Sequence, residues 1–332
     1  MQHMSFNALR RTLIAGGIIA SGLAAMGGPA HAADFPERPI TLVAPYPAGG
    51  AADVLSRILG KALGDQLGQA VVVENKPGAG TAIGAAAVAA AKPDGYTLLV
   101  SSNSTFTLNP ALQPKLSYDP VRGFEPIGMV GSVALAMLVN ASVTAADVPQ
   151  FVAAAKASPD KYVYGSFGNG TSSNFAGAMF NTATGLKMTH VPYKGSAPLM
   201  TDLMGGQIPV SFDTVVAASQ QLKAGKIRVL AVAMSKRSAL LPNVPTMAEA
   251  GYPAVDMNAW LALVAPKGLP APVKARLEKA LATVMANPEI IEKLKGAGFE
   301  PGYAAIPDWP GMVTAEIARM KTLAERSQIK TD

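Results

Sequence analysis

What most constrains this chain is a repeating order. A short apolar run is followed by a turn bearing glycine or proline, then by an alanine-rich stretch with apolar residues at helical spacing. A strand and helix joined this way bury their apolar faces only against further units of the same kind, so the pattern predicts an α/β fold with a largely parallel sheet. Ile40–Ala44 reads as a strand, Pro45–Gly50 as a turn, and Ala51–Leu63 as a helix with Val54, Leu55, Ile58, Leu59 and Ala62 on one face. Strands are expected again at Val71–Val73, Tyr96–Val100, Val133–Val139, Val210–Phe212 and Ile227–Ala233. Helices are expected at Ile83–Ala91, Val148–Ala157, Ala271–Met285, Pro288–Lys295 and Pro310–Ser327. A further strand, glycine loop and helix fill Tyr162–Phe180. No repeat of solenoid period is present.

The chain has 332 residues, enough for two ordinary domains of about 150. Composition removes whole classes of chemistry. Cysteine is absent, so disulfides, thiolate metal sites and cysteine nucleophiles are excluded. There are 3 histidines, and His3 and His31 sit at the extreme N-terminus, leaving His190 alone in the body. Asp202, Asp213 and Asp256 are isolated acids without metal-ligand spacing, so no metal is expected.

Arg10 and Arg11 precede the uncharged run Thr12–Met26, and Ala30-His31-Ala32 offers the small residues a signal peptidase reads, so residues 1–32 are expected to be a signal peptide. The apolar run falls short of the ~20 residues that span a bilayer, and no later segment reaches that length uninterrupted, so the mature chain is expected to be soluble, exported and not embedded in the membrane. The formal charge of +6 loses only those two arginines on cleavage. The remaining lysines and arginines are scattered without aromatic interleaving, which gives nucleic-acid binding no support.

Two turn-to-helix junctions carry the chemistry. In Pro45-Tyr46-Pro47-Ala48-Gly49-Gly50-Ala51-Ala52-Asp53, paired glycines let the backbone approach a ligand. The unpaired N–H groups of the first helical turn, with the helix dipole behind them, form an anion site. The plainer reading is an ordinary strand-to-helix turn with Asp53 as a first-turn charge. In Tyr164-Gly165-Ser166-Phe167-Gly168-Asn169-Gly170-Thr171-Ser172, glycines again precede a helix, now with hydroxyls that either cap it or donate to an anion. Two such junctions in separate α/β units suit a cleft between two lobes, each offering one helix end to a small dicarboxylate.

Rival motifs are weaker. Gly78-Ala79-Gly80-Thr81-Ala82-Ile83-Gly84 approaches the dinucleotide fingerprint, but its last gap is too long and no acid ends a following strand to take a ribose. No P-loop and no Gly-x-Ser-x-Gly elbow occurs, so an exported hydrolase ranks last, and His190 reads as a structural histidine at a strand end. No cofactor and no enzymatic activity are expected.

Several segments in fixed order resemble the tripartite tricarboxylate transporter substrate-binding proteins, the Bug family of periplasmic solute receptors. They are Pro45–Gly50 with Asp53, Glu74–Gly80, Lys92–Leu99, Tyr118–Pro120, Tyr164–Ser166 with Gly168–Gly170, Val191–Gly195, Gly206-Gln207 with Phe212-Asp213, and Pro245–Pro253. The resemblance implies a type II-like periplasmic binding protein, two α/β lobes joined by two crossover strands. One lobe would be 34–137 plus 258–332 and the other 138–257, with crossings near Leu138-Val139 and Asn258–Trp260.

It also implies a receptor that binds a small organic carboxylate between the lobes and delivers it, as a monomer, to a tripartite tricarboxylate-type permease. A sensor that presents the same ligand to a membrane kinase is the alternative. Tyr46, Pro47, Ala48, Gly49 and Gly50 would line one wall, with Asp53 supporting or touching the ligand. Ser166, Gly168, Asn169, Gly170, Thr171 and Ser172 would line the other; Ser102 joins the site, Tyr193 and Lys194 cap it, and Asp213 with Thr214 sits at its edge. Tyr46, Phe167 and Tyr193 are placed to flank an aromatic ring. Compatible ligands include citrate-like acids, aliphatic or aromatic dicarboxylates, acidic amino acids and nicotinate-like acids. Asn174 stands where the family commonly has His, Thr81 where it has Gly, and Gln113 where it has an aromatic residue, which weakens transfer of any relative's substrate.

Overall fold

The computed structural model describes residues 35–113, 115–222 and 224–329, so the expected signal segment lies outside the described residues. Among these, no helix is long and apolar enough to cross a membrane. The chain opens with β1 (Ile40–Ala44), α1 (Ala51–Leu67), β2 (Val71–Asn75), α2 (Ala82–Ala89) and β3 (Thr97–Ser102). A wide helical turn over Ser104–Leu108 leads into α3 (Asn109–Leu112). After the long β4 (Phe124–Asn140) come α4 (Val148–Ala157), β5 (Val163–Ser166), α5 (Ser172–Thr184), β6 (Thr189–Pro192), α6 (Ser196–Met204), β7 (Val210–Thr214), α7 (Val215–Leu222) and β8 (Ile227–Val232). Then follow β9 (Asn258–Pro266), α8 (Ala271–Ala286), α9 (Pro288–Gly296), β10 (Phe299–Ala304) and α10 (Trp309–Arg326).

Strand order is β2-β1-β3-β9-β4-β7-β5-β6, with β8 and β10 also on β4. Parallel ladders join β1 to β2 and β3, and β5 to β6 and β7, as the strand–helix alternation requires. The centre differs from the expected parallel sheet, because every ladder made by β4 and β9 is antiparallel. The fold is a two-lobed α/β arrangement, and β4 belongs to both halves. Its residues up to Ala134 pair with β9, and from Leu135 onward they pair with β7.

β4 runs for 17 residues, well beyond the apolar run Val133–Val139. Its first half carries Pro126, Gly128 and Gly131 at register shifts, which interrupt the apolar pattern that marks a strand. Gly131, at φ +119°, lies where the backbone of β10 presses in, and a Cβ there would overlap the Glu300 carbonyl oxygen.

Each half has its own aromatic core. Buried Phe106 stacks on Trp260 at 5.9 Å and meets Trp309 edge-on at 4.8 Å. In the other half Phe180 packs against Phe212 at 5.6 Å. Full burial of each such ring stabilises the fold by about 1.5–3 kcal/mol.

Candidate functional site

β1 runs into the turn Pro45–Gly50, and α1 starts at Ala51. The turn is held from below: the Asp53 carboxylate accepts from the Gly49 N–H at 3.0 Å, from Arg57 at 2.8 and 3.1 Å, and from Asn75 Nδ2 at 3.0 Å. Asn75 Nδ2 also donates to the Tyr46 carbonyl at 3.0 Å. Burial alone would raise the Asp53 pKa, but the bonds from Arg57, Gly49 and Asn75 outweigh it and hold the carboxyl below its ordinary value. Gly49 has φ +86°, which favours glycine at this step of the turn. The consequence is at Gly50, the N-cap of α1, which makes no side-chain cap bond. Gly50, Ala51 and Ala52 of this first turn line the cavity, and no side-chain oxygen caps the helix there.

The cavity there is lined by Tyr46, Pro47, Gly50, Ala51, Ala52 and Ser102 on one side, and by Phe167, Ser172, Gly195, Ser196 and Thr214 on the other. Val133 of β4 with Ala259 and Leu261 of β9 complete the lining. The space between its walls is about 440 Å³ with the open mouth included, of which the centre of a water molecule reaches about 30 Å³. None of its lining side chains is charged. Tyr46 shares a 2.8 Å hydrogen bond with Ser102, and burial pushes its phenol pKa up, offset in part by the hydroxyls of Ser102, Ser104, Ser101 and Thr105.

The second junction is organised differently from the first. Thr171 caps α5, accepting from the Asn174 N–H, and donates to the Gly168 carbonyl at 2.6 Å. The Gly168 and Gly170 amides go to Ser166 Oγ and Asn174 Oδ1, and the Phe167 amide goes to Ser173 Oγ. The Ser172 amide crosses the cleft to Ser104 Oγ at 3.1 Å. These amides are largely spoken for within the protein, whereas Ser172 Oγ is buried at the cavity without a hydrogen-bond partner among the described residues. The second uncapped helix end is α6. Its N-cap, Gly195, makes no side-chain cap bond, and both Gly195 and Ser196 line the cavity.

The residues singled out in the sequence therefore divide. Tyr46, Pro47, Gly50, Ser102, Ser172 and Thr214 come together at the cavity. Gly168, Asn169, Thr171, Tyr193 and Lys194 line an outer groove that shares Tyr46, Pro47, Phe167 and Gly195 with it. Ala48 and Gly49 are exposed on the outer side of the turn, and Asp53 is buried beneath it. Gly170 stands against Asn109. Tyr193 donates to Asp202 at 2.8 Å, so its hydroxyl is fixed by its own lobe.

Ser166 is fully buried, with Oγ 2.6 Å from His190 Nε2; the histidine ring stacks on Tyr164 at 4.9 Å, with Asn174 Nδ2 3.3 Å from Nδ1. The Ser166 hydroxyl is turned away from the cavity into this cluster, which braces β5 with polar contacts. Asp213 is fully buried behind Ser196 and Thr214. Its Oδ1 accepts from the Thr214 N–H at 2.6 Å, Ser196 Oγ at 2.9 Å and Thr214 Oγ1 at 3.4 Å. Burial, opposed by those three bonds, pushes its pKa up to about 7.

Sequence reasoning missed Gly195-Ser196 and the floor. The Gly195-Ser196-Ala197-Pro198 segment has the same glycine-before-helix form as the other junctions, and that was the available signal. Val133, Ala259 and Leu261 carry no local mark, because only the antiparallel meeting of β4 and β9 places them.

The cross-cleft contacts put the two walls in a closed arrangement. Besides the Ser172–Ser104 bond, Tyr46 meets Phe167 edge-on at 6.5 Å, and a Cβ on Gly195 would lie 2.5 Å from Pro47 Cγ.

The profile of the tripartite tricarboxylate transporter family receptor matches residues 55–329. The chain belongs to that family. Protein BugT of Bordetella pertussis is 34% identical over 303 residues, covering 91% of this chain and 92% of BugT. The structure of periplasmic binding protein BugD superposes with a TM-score of 0.85 at 34% identity, covering 90% of this chain and 100% of BugD. R. palustris Rpa4515, solved with adipate, superposes with a TM-score of 0.86 at 33% identity, covering 89% and 99%. As in these family receptors, the chain folds as a two-lobed periplasmic binding protein.

Proposed function

We propose that this family member is a periplasmic receptor that closes over a small organic carboxylate and hands it to a tripartite permease in the membrane. The reading includes export with loss of residues 1–32, and lobes formed by 34–137 plus 258–332 and by 138–257. One observation carries it: the uncapped start of α1 opens onto a cavity whose lining holds no charged side chain. An anion there is neutralised by main-chain amides and a helix dipole, with Ser102, Ser172, Ser196 and Thr214 offering hydroxyls. Each charge-assisted hydrogen bond in a closed cleft contributes about 1.5–3 kcal/mol, so a few suffice for tight binding.

The adipate held by the R. palustris relative supports a dicarboxylate as the ligand class. Closure follows from differential contact: bonds to the α1 wall and to the Ser172, Ser196 and Thr214 wall form together only when the lobes meet. The test is a thermal-shift screen of the mature protein against aliphatic and aromatic carboxylates, followed by calorimetry of the hits. A ligand at 100 times its Kd adds about 2.7 kcal/mol of stability, a shift of a few degrees. A panel in which no carboxylate raises Tm overturns the reading.

A further inference from the structure

The wall formed by Ser196 and Thr214 has an unusual backing. Asp213 is fully buried, Oδ1 receives three donors, and Oδ2 has no hydrogen-bond partner among the described residues. All three of its donors are uncharged, two hydroxyls and one main-chain amide. The elements packed against β7 are β4, β5, α5, α6 and α7. Their titratable side chains are Glu125, Tyr164 and Asp202, and each is engaged elsewhere. Glu125 takes Lys267 and Lys274, Tyr164 receives Asn174 Nδ2, and Asp202 takes the Tyr193 hydroxyl.

A buried carboxylate without a cation is costly, and the inexpensive form is the neutral acid. The ionised form also works against the site. While Asp213 is charged, Ser196 and Thr214 both point their hydroxyl protons at Oδ1, and Thr214 Oγ1 already accepts from the Ala217 N–H. The two hydroxyls then offer the cavity lone pairs, which repel an anion.

We propose that Asp213 is a positioning residue that takes up a proton as a carboxylate enters the cavity, so that the receptor binds anion and proton together. The inference rests on the carboxylate reading above. The proton comes from solvent and adds to the Asp213 carboxylate, with Oδ2 the unpartnered position that receives it; no other bond forms or breaks. Neutral Asp213 removes the negative charge behind the wall and frees Ser196 to turn its O–H toward the ligand. A ligand anion touching Ser196 sits about 6 Å from the Asp213 carboxyl, where two like charges oppose one another by roughly a hundredfold in affinity. By linkage, the anion raises the affinity for the proton by the same factor.

Calorimetry of the mature protein with adipate and with malate, at pH 8 in buffers of different ionisation enthalpy, reads the coupling directly. Wild type is expected to take up close to one proton per bound diacid, and its Kd to rise about tenfold per pH unit above neutrality. Asp213→Asn keeps an oxygen for Thr214 and sets an amide nitrogen where the acid proton stands. It is expected to bind with no proton uptake and a flat pH profile. Circular dichroism and Tm check that it folds, and the carboxyl carbon shift of Asp213 in wild type gives a reading that needs no variant.

Equal uptake in both proteins, a flat wild-type profile, or an Asp213 carbon that titrates near its ordinary value overturns the inference. A diacid bound without a proton overturns the coupling alone. Failure of both diacids, with no hit in the wider carboxylate screen, overturns the underlying reading and the coupling with it.

Discussion

Replacing Gly195 with alanine is expected to block closure while leaving the fold intact. The new Cβ would lie 2.5 Å from Pro47 Cγ, 2.9 Å from Cδ and 3.3 Å from Cβ, against a comfortable carbon separation of about 3.5–4.0 Å. The proline ring is rigid, so the walls must part by about 1 Å before the methyl fits. That separation breaks the 3.1 Å bond between the Ser172 amide and Ser104 and loosens the hold on any ligand spanning the cavity.

Gly195 also has φ +108°, which costs an alanine about 1–2 kcal/mol. That cost falls on open and closed forms alike, whereas the clash with Pro47 falls on the closed form alone. Penalising the closed form by roughly 1.5–3 kcal/mol corresponds to a Kd about 10- to 100-fold higher, with Tm lowered by only a few degrees. Calorimetry of the Gly195→Ala protein with its best carboxylate, repeated in a Pro47→Gly background, measures the coupling. The double variant should regain most of the lost affinity. A single variant that binds like wild type, or a double variant no better than the single, refutes the steric reasoning.

Gly50→Asp should abolish binding in a folded protein. The site has room, since a Cβ there meets only the Pro47 carbonyl at 3.7 Å and Ser196 Oγ at 3.9 Å, while a carboxylate would replace the anion; calorimetry and circular dichroism check the two halves. Asp53→Ala should cost roughly 2–4 kcal/mol of stability at pH 7 in urea melts by unclamping Gly49, Arg57 and Asn75. Because the folded Asp53 pKa lies below its unfolded value, that contribution is present at neutral pH. It should fade as pH falls through the acid range, so the gap between wild type and variant should narrow on acidification. His190→Ala removes the Ser166 bond and the Tyr164 stacking, which should lower stability by about 1–2 kcal/mol while changing Kd less than threefold; a hundredfold loss would place the histidine in the binding site.

The strand–turn–helix repeat of β1, α1 and β2, and again of β5 and α5, was legible because each pairs a short apolar strand with a glycine turn and a helix carrying apolar residues at helical spacing. The geometry of the first junction was legible for the same reason: a glycine at the N-cap supplies no capping side chain. The second was only half legible. Ser166 and Thr171 carry the hydroxyls that anion sites use, yet both hydroxyls are turned to the protein's own His190 and Gly168, and spacing alone does not distinguish a cap from a donor.

β10 went unread because Pro301 and Gly302 interrupt Phe299–Ala304, and its strand geometry comes from pairing with β4 rather than from propensity. Asp213 sat in view as an isolated acid. Only burial behind Ser196, a tertiary fact, makes its proton consequential.

Sharing one strand between both halves sets the proposed binding cavity at the place where the two ladders meet. Val133, part of the cavity floor, stands immediately before the point where β4 exchanges the β9 ladder for the β7 ladder. In the closure proposed above, a swing that parts the lobes is expected to bend the backbone directly under that cavity. Enlarging or shrinking the Val133 side chain is therefore expected to change both which molecules fit and how readily the jaws open.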